Sequence, residues 1–481
     1  MKTSNDQYIH RLLAGMVAFS LLSGCGSSDN DSVSAQPQFK DFYGTWDRSG
    51  YGDALVIDSD GGRFYQYTQS GCIMTDHGNN ADTAALLGKA SLSGNGNTLA
   101  IPAVEHAVFK QQFTRIANLP AQCNDAISVG SASATQVFDS FQQTYADYYA
   151  FFDIRGVDWN AQIAKASLVV SDGMGDEALF SALAQALAPI DDGHVQLAAD
   201  DSRYRPVSVR GANRVVEQTF PLQETYPTID AYGEALNNQY WEILGSYLDE
   251  GSVASADGAL PDRMIWATLR GGRVGYLLIN SMAYFAEADE GLDPQANVDR
   301  VHALMPQLLA ALGNTEALII DIRSNAGGQD DVAFAIAAYF TAERRRVGAK
   351  YSRSFSGEGP LQEAWLEPVE GYVSPYLNPV AVITSDATAS AAETFTLTMK
   401  ALPRVIQVGE STAGMMSDVL EKTLPNGWEI WLANEVYLDA NGVSHEGTGI
   451  TPDIQASAFS LDAMEQGRNA ALDGALTALG F

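Results

Sequence analysis

The sequence predicts an α/β core preceded by a helical segment and a small N-terminal all-β module. Three observations carry this. From Met264 onward, apolar strand-like runs alternate with helical stretches, the pattern of a sheet with helices packed on it. Residues 136–190 carry large apolar residues at helical spacing. Before them, GTWDRSG, ALVIDSDGG, RFYQYTQSG and NGNTLAIPA alternate aromatic or β-branched residues with Gly, Asp and Asn breaks, the texture of short strands and turns.

A chain of 481 residues is too long for one ordinary core, so two or three domains are expected. An apolar content of 46% with 10% aromatics indicates a folded protein. The net charge of −31 argues against nucleic acid as a partner, because phosphates must be met by a basic face.

The N-terminus reads as a targeting device. Lys2 and Arg11 precede LLAGMVAFSLLSG, too short to span a bilayer comfortably and shaped like the apolar region of a signal peptide. It ends in LSGC, Leu22 to Cys25, which resembles the lipobox of bacterial lipoproteins. That resemblance implies cleavage before Cys25 and a lipid on its sulfur, each buried methylene contributing about 0.8 kcal/mol to membrane anchoring. Gly26 rather than Asp after the cysteine points to an extracytoplasmic protein on the outer membrane, facing the periplasm. Cys72 and Cys123 are then an even pair in an oxidising compartment, and a disulfide between them is expected. With no further Cys and scattered His, zinc-site spacing is absent, and neither metal nor cofactor is expected.

The expected organisation follows in order. Residues 1–24 are the signal peptide and 25–39 the lipidated cysteine with a polar tether. Residues 40–130 form the β-module and 131–200 the helical subdomain. Residues 201–263 are an insert that covers a site or joins domains, and 264–481 are the α/β core. Phe138, Phe141, Tyr145, Tyr148, Tyr149 and Phe152 form an aromatic stripe read as helix packing. Leu179, Leu183 and Leu187 lie on a second helix, which Pro189 stops before IDDGHVQL. In the core, RVGYLLINSM reads as a strand, VDRVHALMPQLLAALG as a helix, and EALIIDIRSNAGG as a buried strand ending in a glycine turn. PVAVITSD is the next strand and leads into ATASAAETFTLTMKAL.

Ser390, in DATASAAETF, stands where that strand gives way to a helix. Such a turn can lift a hydroxyl and aim the following N–H groups at one point, although serine is also an ordinary helix cap. A nucleophilic serine needs a base, and histidine is the usual activator. His10 is in the signal, His77 and His106 are in the β-module, and His302 opens a helix; His194 and His445 remain. Glycines in DIRSNAGG would let a turn present N–H groups to an oxyanion. Glu446, in HEGTGITPDI, is a candidate to orient an imidazole.

Taken in order, DDGHVQL, LIIDIRSNAGGQDD, TASAAETF, RVIQVGESTAG, LPNG and EGTGITPDI resemble the serine peptidases of the tail-specific (C-terminal processing) protease and tricorn family. The match covers about residues 135–200 and 264–456. QTYADYYAFFDIRGVDWN also resembles the helical subdomain that precedes the histidine in tricorn-like members. The resemblance implies a ClpP/crotonase-like core, a peptide or unfolded-protein substrate and serine-type catalysis without a cofactor. Tail-specific members use a Ser–Lys dyad, but the aligned stretch GESTAGM ends in Met415, which cannot transfer the proton. Tricorn-like members use Ser, His and Glu, and these positions match Ser390, His194 and Glu446. The serine that precedes the histidine in tricorn is Gly193 here, so that orienting member is missing. The family further implies an oxyanion hole from the N–H of Ala391 and one strand-end glycine, Gly327 or its rival Gly328. No Gly-Leu-Gly-Phe-like loop of a PDZ domain occurs in 201–263 or elsewhere. Two other readings of the same residues are an ester hydrolase and a binding protein that has lost turnover.

Overall fold

The computed structural model describes residues 38–130, 132–199, 202–255, 263–286, 291 and 293–481. The signal segment, Cys25 and nearly all of the tether lie outside the described residues.

The N-terminal module is one eight-stranded sheet, with Gly44–Arg48, Asp53–Asp58, Gly61–Tyr67 and Cys72–Gly78 as consecutive neighbours. Its pairs are antiparallel apart from the last, where Ile127–Ser128 runs parallel to Cys72–Gly78. Alternation puts Trp46, Leu55, Ile57, Leu99 and Phe113 in one buried cluster. One short helix, Asn80–Leu86, interrupts the strands, because the Asn79 side chain accepts the N–H groups of Ala81 and Asp82 and so caps it. Cys72 and Cys123 are disulfide-bonded, with Cα atoms 4.9 Å apart.

Three helices follow, Ala134–Tyr148, Trp159–Ala166 and Asp176–Leu187. Ser133 and Gln136 cap the first reciprocally. Its aromatic stripe is buried: Phe141 and Tyr145 meet Trp159 with ring centroids 5.8 and 5.3 Å apart, and Phe152 stacks on the same indole at 5.2 Å. Each such aromatic pair contributes about 0.5–1.5 kcal/mol beyond its buried area. The third helix ends two residues before Pro189. The chain then enters strand Gln196–Ala199, which pairs with Ser202–Tyr204 on one side and with Glu429–Ala433 on the other. This small sheet joins the helical segment to the far C-terminal part of the chain. The described part of the insert is mainly two helices, Gly211–Thr219 and Ile229–Tyr247.

The core is a seven-stranded sheet. Val274–Ile279, Ala317–Asp321, Val380–Thr384, Val405–Gly409 and Ile454–Gln455 lie parallel in that order. Met264–Leu269 and then Ala254–Ser255, the latter from the insert segment, add antiparallel strands at one edge. Helices Pro294–Leu312, Asp330–Ala337 and Ala391–Lys400 cover the face bearing Leu277, Leu318, Ile320 and Val382. Helix Ala470–Leu479, with Leu244 of the insert, covers the face bearing Tyr276, Ile319, Ala381 and Ile383. Both faces being covered explains the uninterrupted apolar runs ALII and VAVI in its central strands. The carboxyl ends of these strands feed the turns that build the candidate site.

Candidate active site

The Ser390 side of the candidate site is assembled from two adjacent strand ends. After Thr384, the Ser385 hydroxyl donates to the Arg323 carbonyl at 2.5 Å and the Thr388 hydroxyl to the Ile322 carbonyl at 3.0 Å. The Ala389 N–H donates to the Asn325 carbonyl at 3.2 Å. These bonds wrap the segment around the end of strand Ala317–Asp321. Ser390 then adopts φ 54° and ψ −128°, a conformation that an L-residue holds at a cost of about 1–3 kcal/mol. The helix begins at the next residue. Ser390 is therefore no relaxed cap; it is a strained, half-buried turn residue. Its N–H is shared between the Met415 carbonyl at 2.9 Å and Glu393 Oε2 at 3.2 Å. Glu393, fully buried, also accepts the Thr412 hydroxyl at 2.6 Å and the N–H groups of Gly414 and Met415 at 2.8 and 2.9 Å. Burial pushes its carboxyl up and those hydrogen bonds oppose the shift, so the residue clamps the turn to the Thr412–Met415 loop.

Gly327 lies directly against this turn, at φ +102°. A Cβ there would sit 2.6 Å from the Ser390 Cβ and 3.1 Å from the Ala391 nitrogen. Its N–H is given to Asn325 Oδ1 at 2.8 Å, while Asn325 Nδ2 donates to the Ile279 carbonyl at 3.0 Å. Gly328, at φ +147°, has no room for a side chain either, since a Cβ would stand 2.5 Å from the Met282 carbonyl carbon. The neighbouring peptides carry the pairing here: Met282 N–H to the Gly327 carbonyl and Gln329 N–H to the Met282 carbonyl, both at 2.9 Å.

The base side is assembled from distant pieces. His194 immediately precedes the small sheet, with its side chain 12% exposed. Its own N–H donates to Asp192 Oδ1 at 2.9 Å, and its Nδ1 lies 3.9 Å from that same oxygen. Nδ1 is buried without a hydrogen-bond partner. Burial pushes the imidazole below its ordinary pKa, Asp192 and Asp418 oppose this, and Arg205 and Arg155 add to it. Glu446 is buried as well. Its Oε1 accepts Arg155 Nη2 at 2.6 Å, and its Oε2 accepts the N–H groups of Met416 at 2.8 Å and Ser417 at 3.2 Å. Burial, then the nearby Asp192 carboxylate, push the Glu446 carboxyl up, against the Arg155 guanidinium. Arg155 comes from the helical segment, also donates to the Gly414 carbonyl at 2.8 Å, and stands 3.9 Å from Asp192. Tyr149 donates its phenol to Asp192 Oδ2 at 2.9 Å.

Met415 is where the two sides meet. Its carbonyl takes the Ser390 N–H, and its sulfur takes the Gly193 N–H at 3.0 Å. The backbones of Ser390 and of Gly193, the neighbour of His194, are thus both tied to Met415. Glu446 reaches the same loop through Met416 and Ser417. Among the described residues, no hydrogen bond joins the Ser390 hydroxyl to the His194 ring, or that ring to Glu446. The other histidines of the core are engaged elsewhere: His302 Nδ1 with the Tyr339 hydroxyl at 3.0 Å, and His445 Nε2 with Asp439 at 3.3 Å. Sequence reasoning missed Asp192, Arg155 and Asn325. Asp192 stood inside the DDGHVQL motif and Asn325 inside DIRSNAGG, so both were available. Arg155 carried no local signal, because its partner Glu446 lies 291 positions away.

Comparison with known proteins agrees with this architecture. Residues 273–456 match the profile of peptidase family S41. Over 231 residues the chain is 29% identical to a putative tricorn protease homolog 2 of Streptomyces coelicolor, the alignment covering 48% of this chain and 17% of that protein. The chain thus spans about a sixth of that relative's length. Among solved structures, a putative peptidase from Parabacteroides merdae superposes with a TM-score of 0.56 at 24% identity, over 73% of this chain and 98% of the other. The tricorn protease gives a TM-score of 0.40 at 13% identity, over 89% of this chain and 45% of the other. The similarity to peptidase family S41 thus lies in residues 273–456.

Proposed function

We propose that this protein is a serine endopeptidase acting on extracytoplasmic proteins or peptides, with Ser390 as nucleophile and His194 as general base. The observation that carries the reading is the convergence on Met415: its carbonyl takes the N–H of a strained serine at a strand-to-helix turn, and its sulfur takes the N–H of Gly193, the residue before the buried His194. Glu446 is a buried carboxylate held to the same loop by the Met416 and Ser417 N–H groups.

In the reaction, the Ser390 oxygen bonds to the substrate carbonyl carbon as its proton passes to His194 Nε2. The carbonyl electron pair moves to oxygen, and the oxyanion is met by the N–H of Ala391 at the helix start. Gly328 is the better second donor, since the Gly327 N–H is already given to Asn325. The C–N bond then breaks and the leaving amine takes the proton from His194. Water, deprotonated by His194, attacks the acyl carbon; the ester C–O bond breaks and the Ser390 oxygen takes the proton back from His194. A lipid on Cys25 would hold the enzyme at the outer membrane, facing the periplasm; thioether-linked diacylglycerol on Cys25 in the mature protein's mass spectrum tests that part.

The test of the activity is Ser390→Ala and His194→Ala against wild type on casein and an oligopeptide library, with a serine-directed fluorophosphonate as label. Peptide cleavage lost in both variants, with wild type labelled on Ser390, supports the proposal. Turnover of acyl esters alone would make the protein an esterase. An unlabelled Ser390 would make it a binding protein.

A further inference from the structure

Gly193 leaves the histidine without the serine that precedes it in tricorn, and the chain supplies a different partner. We infer that Asp192 is the positioning residue that orients His194, and that Glu446 acts one step further back, through Arg155. This deepens the serine-peptidase reading and rests on it.

Three observations carry the assignment. His194 Nδ1 is buried and unpartnered, and the carboxylate recorded beside it is Asp192, at 3.9 Å. That gap is longer than a hydrogen bond, yet catalytic hydrogen bonds in ligand-free enzymes are commonly long and tighten when substrate arrives. A buried ring nitrogen left without a partner is unfavourable, so closing the gap is downhill. Second, the oxygens of Glu446 are already engaged, one by Arg155 and the other by two backbone N–H groups. Third, Asp192 is itself held for the task. It is fully buried, its Oδ2 takes the Tyr149 phenol, and its Oδ1 takes the His194 N–H. Fixing the backbone of the histidine and facing its ring with the same oxygen sets the tautomer: a proton on Nδ1 leaves Nε2 as the base. Arg155 stands between the two carboxylates, 2.6 Å from Glu446 and 3.9 Å from Asp192.

The test is the pH profile of kcat/KM for the full chain carrying Asp192→Asn or Glu446→Gln. The charged groups facing the ring are Asp192 and Asp418, which favour the imidazolium, and Arg205 and Arg155, which oppose it. Removing the Asp192 charge lowers the imidazole pKa, so the acid limb moves to lower pH while kcat falls by about 10²-fold or more. Glu446→Gln weakens the Arg155 anchor and lowers folded yield, and the acid limb of the enzyme that does fold stays in place. A limb moved by Glu446→Gln and not by Asp192→Asn overturns the assignment. Should Asp192→Asn fail to fold, the wild-type proton spectrum decides. A hydrogen-bonded Nδ1–H resonance that is lost in His194→Ala and unshifted in Glu446→Gln supports Asp192; its absence, or its displacement in Glu446→Gln, refutes it. Failure of wild type to cleave peptides or label at Ser390 would instead strike at the peptidase reading, before this question arises.

Discussion

The two halves of the candidate site are built on opposite principles. The nucleophile half comes from two strand ends and one helix start that are neighbours in a parallel sheet, and the hydrogen bonds that shape it involve short motifs. The base half draws Tyr149 and Arg155 from the helical segment, Asp192 and His194 from the approach to the small sheet, and Glu446 from near the C-terminus. Strain is concentrated in the first half, buried charge in the second. A site of this kind can fail in two ways: the turn can lose its geometry while the protein stays folded, or the charge cluster can lose its balance and take the docking of the helical segment with it.

Four substitutions sharpen that contrast, in falling order of effect. Ser390→Ala should abolish peptide turnover, by about 10⁶-fold in kcat, with little change in melting temperature, because alanine holds the same backbone conformation at this turn. Assay and thermal melt on one preparation check both halves of that statement. Next, Gly327→Ala puts a methyl 2.6 Å from the Ser390 Cβ on a backbone at φ +102°. A fall of about 10²–10³-fold in kcat is expected, with KM less affected, as befits damage to the oxyanion turn. Unchanged kinetics would mean that the two strand ends are not pressed together as described.

On the charge side, Arg155→Met leaves Glu446 and Asp192 as two buried acids without a cation. Loss of about 3–5 kcal/mol of stability at neutral pH is expected, read as a lowered urea midpoint. Part of it should return at acidic pH as a carboxyl takes up a proton. Equal destabilisation at every pH would show that packing, not charge, is what Arg155 supplies.

The smallest effect lies at the edge of the site. Asp331, just after the glycine turn, is pushed up to about 7 by burial and by its neighbour Asp330, against the pull of Lys350. Its folded pKa lies above its unfolded value of 3.8, so the native state holds the proton more tightly. The stabilisation is complete below about pH 4 and is lost as pH rises through 7. Asp331→Asn should therefore narrow the drop in melting temperature between pH 5 and pH 8, by about 2 °C. A drop as large as in wild type would place the responsible acid elsewhere, with Glu421, also pushed up to about 7, the next to test.

The fold was legible wherever burial is periodic. Strands covered on both faces, such as Ala317–Asp321 and Val380–Thr384, print as unbroken apolar runs, and the aromatic stripe of Ala134–Tyr148 repeats at helical spacing. The short helix Asn80–Leu86 was not read, because its evidence is one capping asparagine in a stretch otherwise full of turns. Helix Gly211–Thr219 escaped because it is short and polar: Val215 and Val216 are its large apolar residues, and only Gly211 is fully buried. For the site, Ser390 and the glycine turn could be found from motif and spacing, since both are local events.

The sequence by itself determined the α/β alternation, the strand-to-helix turn at Ser390 and the set of titratable residues from which a base could be proposed. It also places Met415, which has no proton to exchange, where the resemblance would have put a lysine. The pairing of those groups was decided only in three dimensions: Arg155 to Glu446, Asp192 beside the imidazole, Gly327 committed to Asn325. The physical reason is range. Strand and helix periods, caps and turns are set within about ten residues, whereas the partner of a buried charge is whichever opposite charge the packing of separate elements brings within a few ångströms.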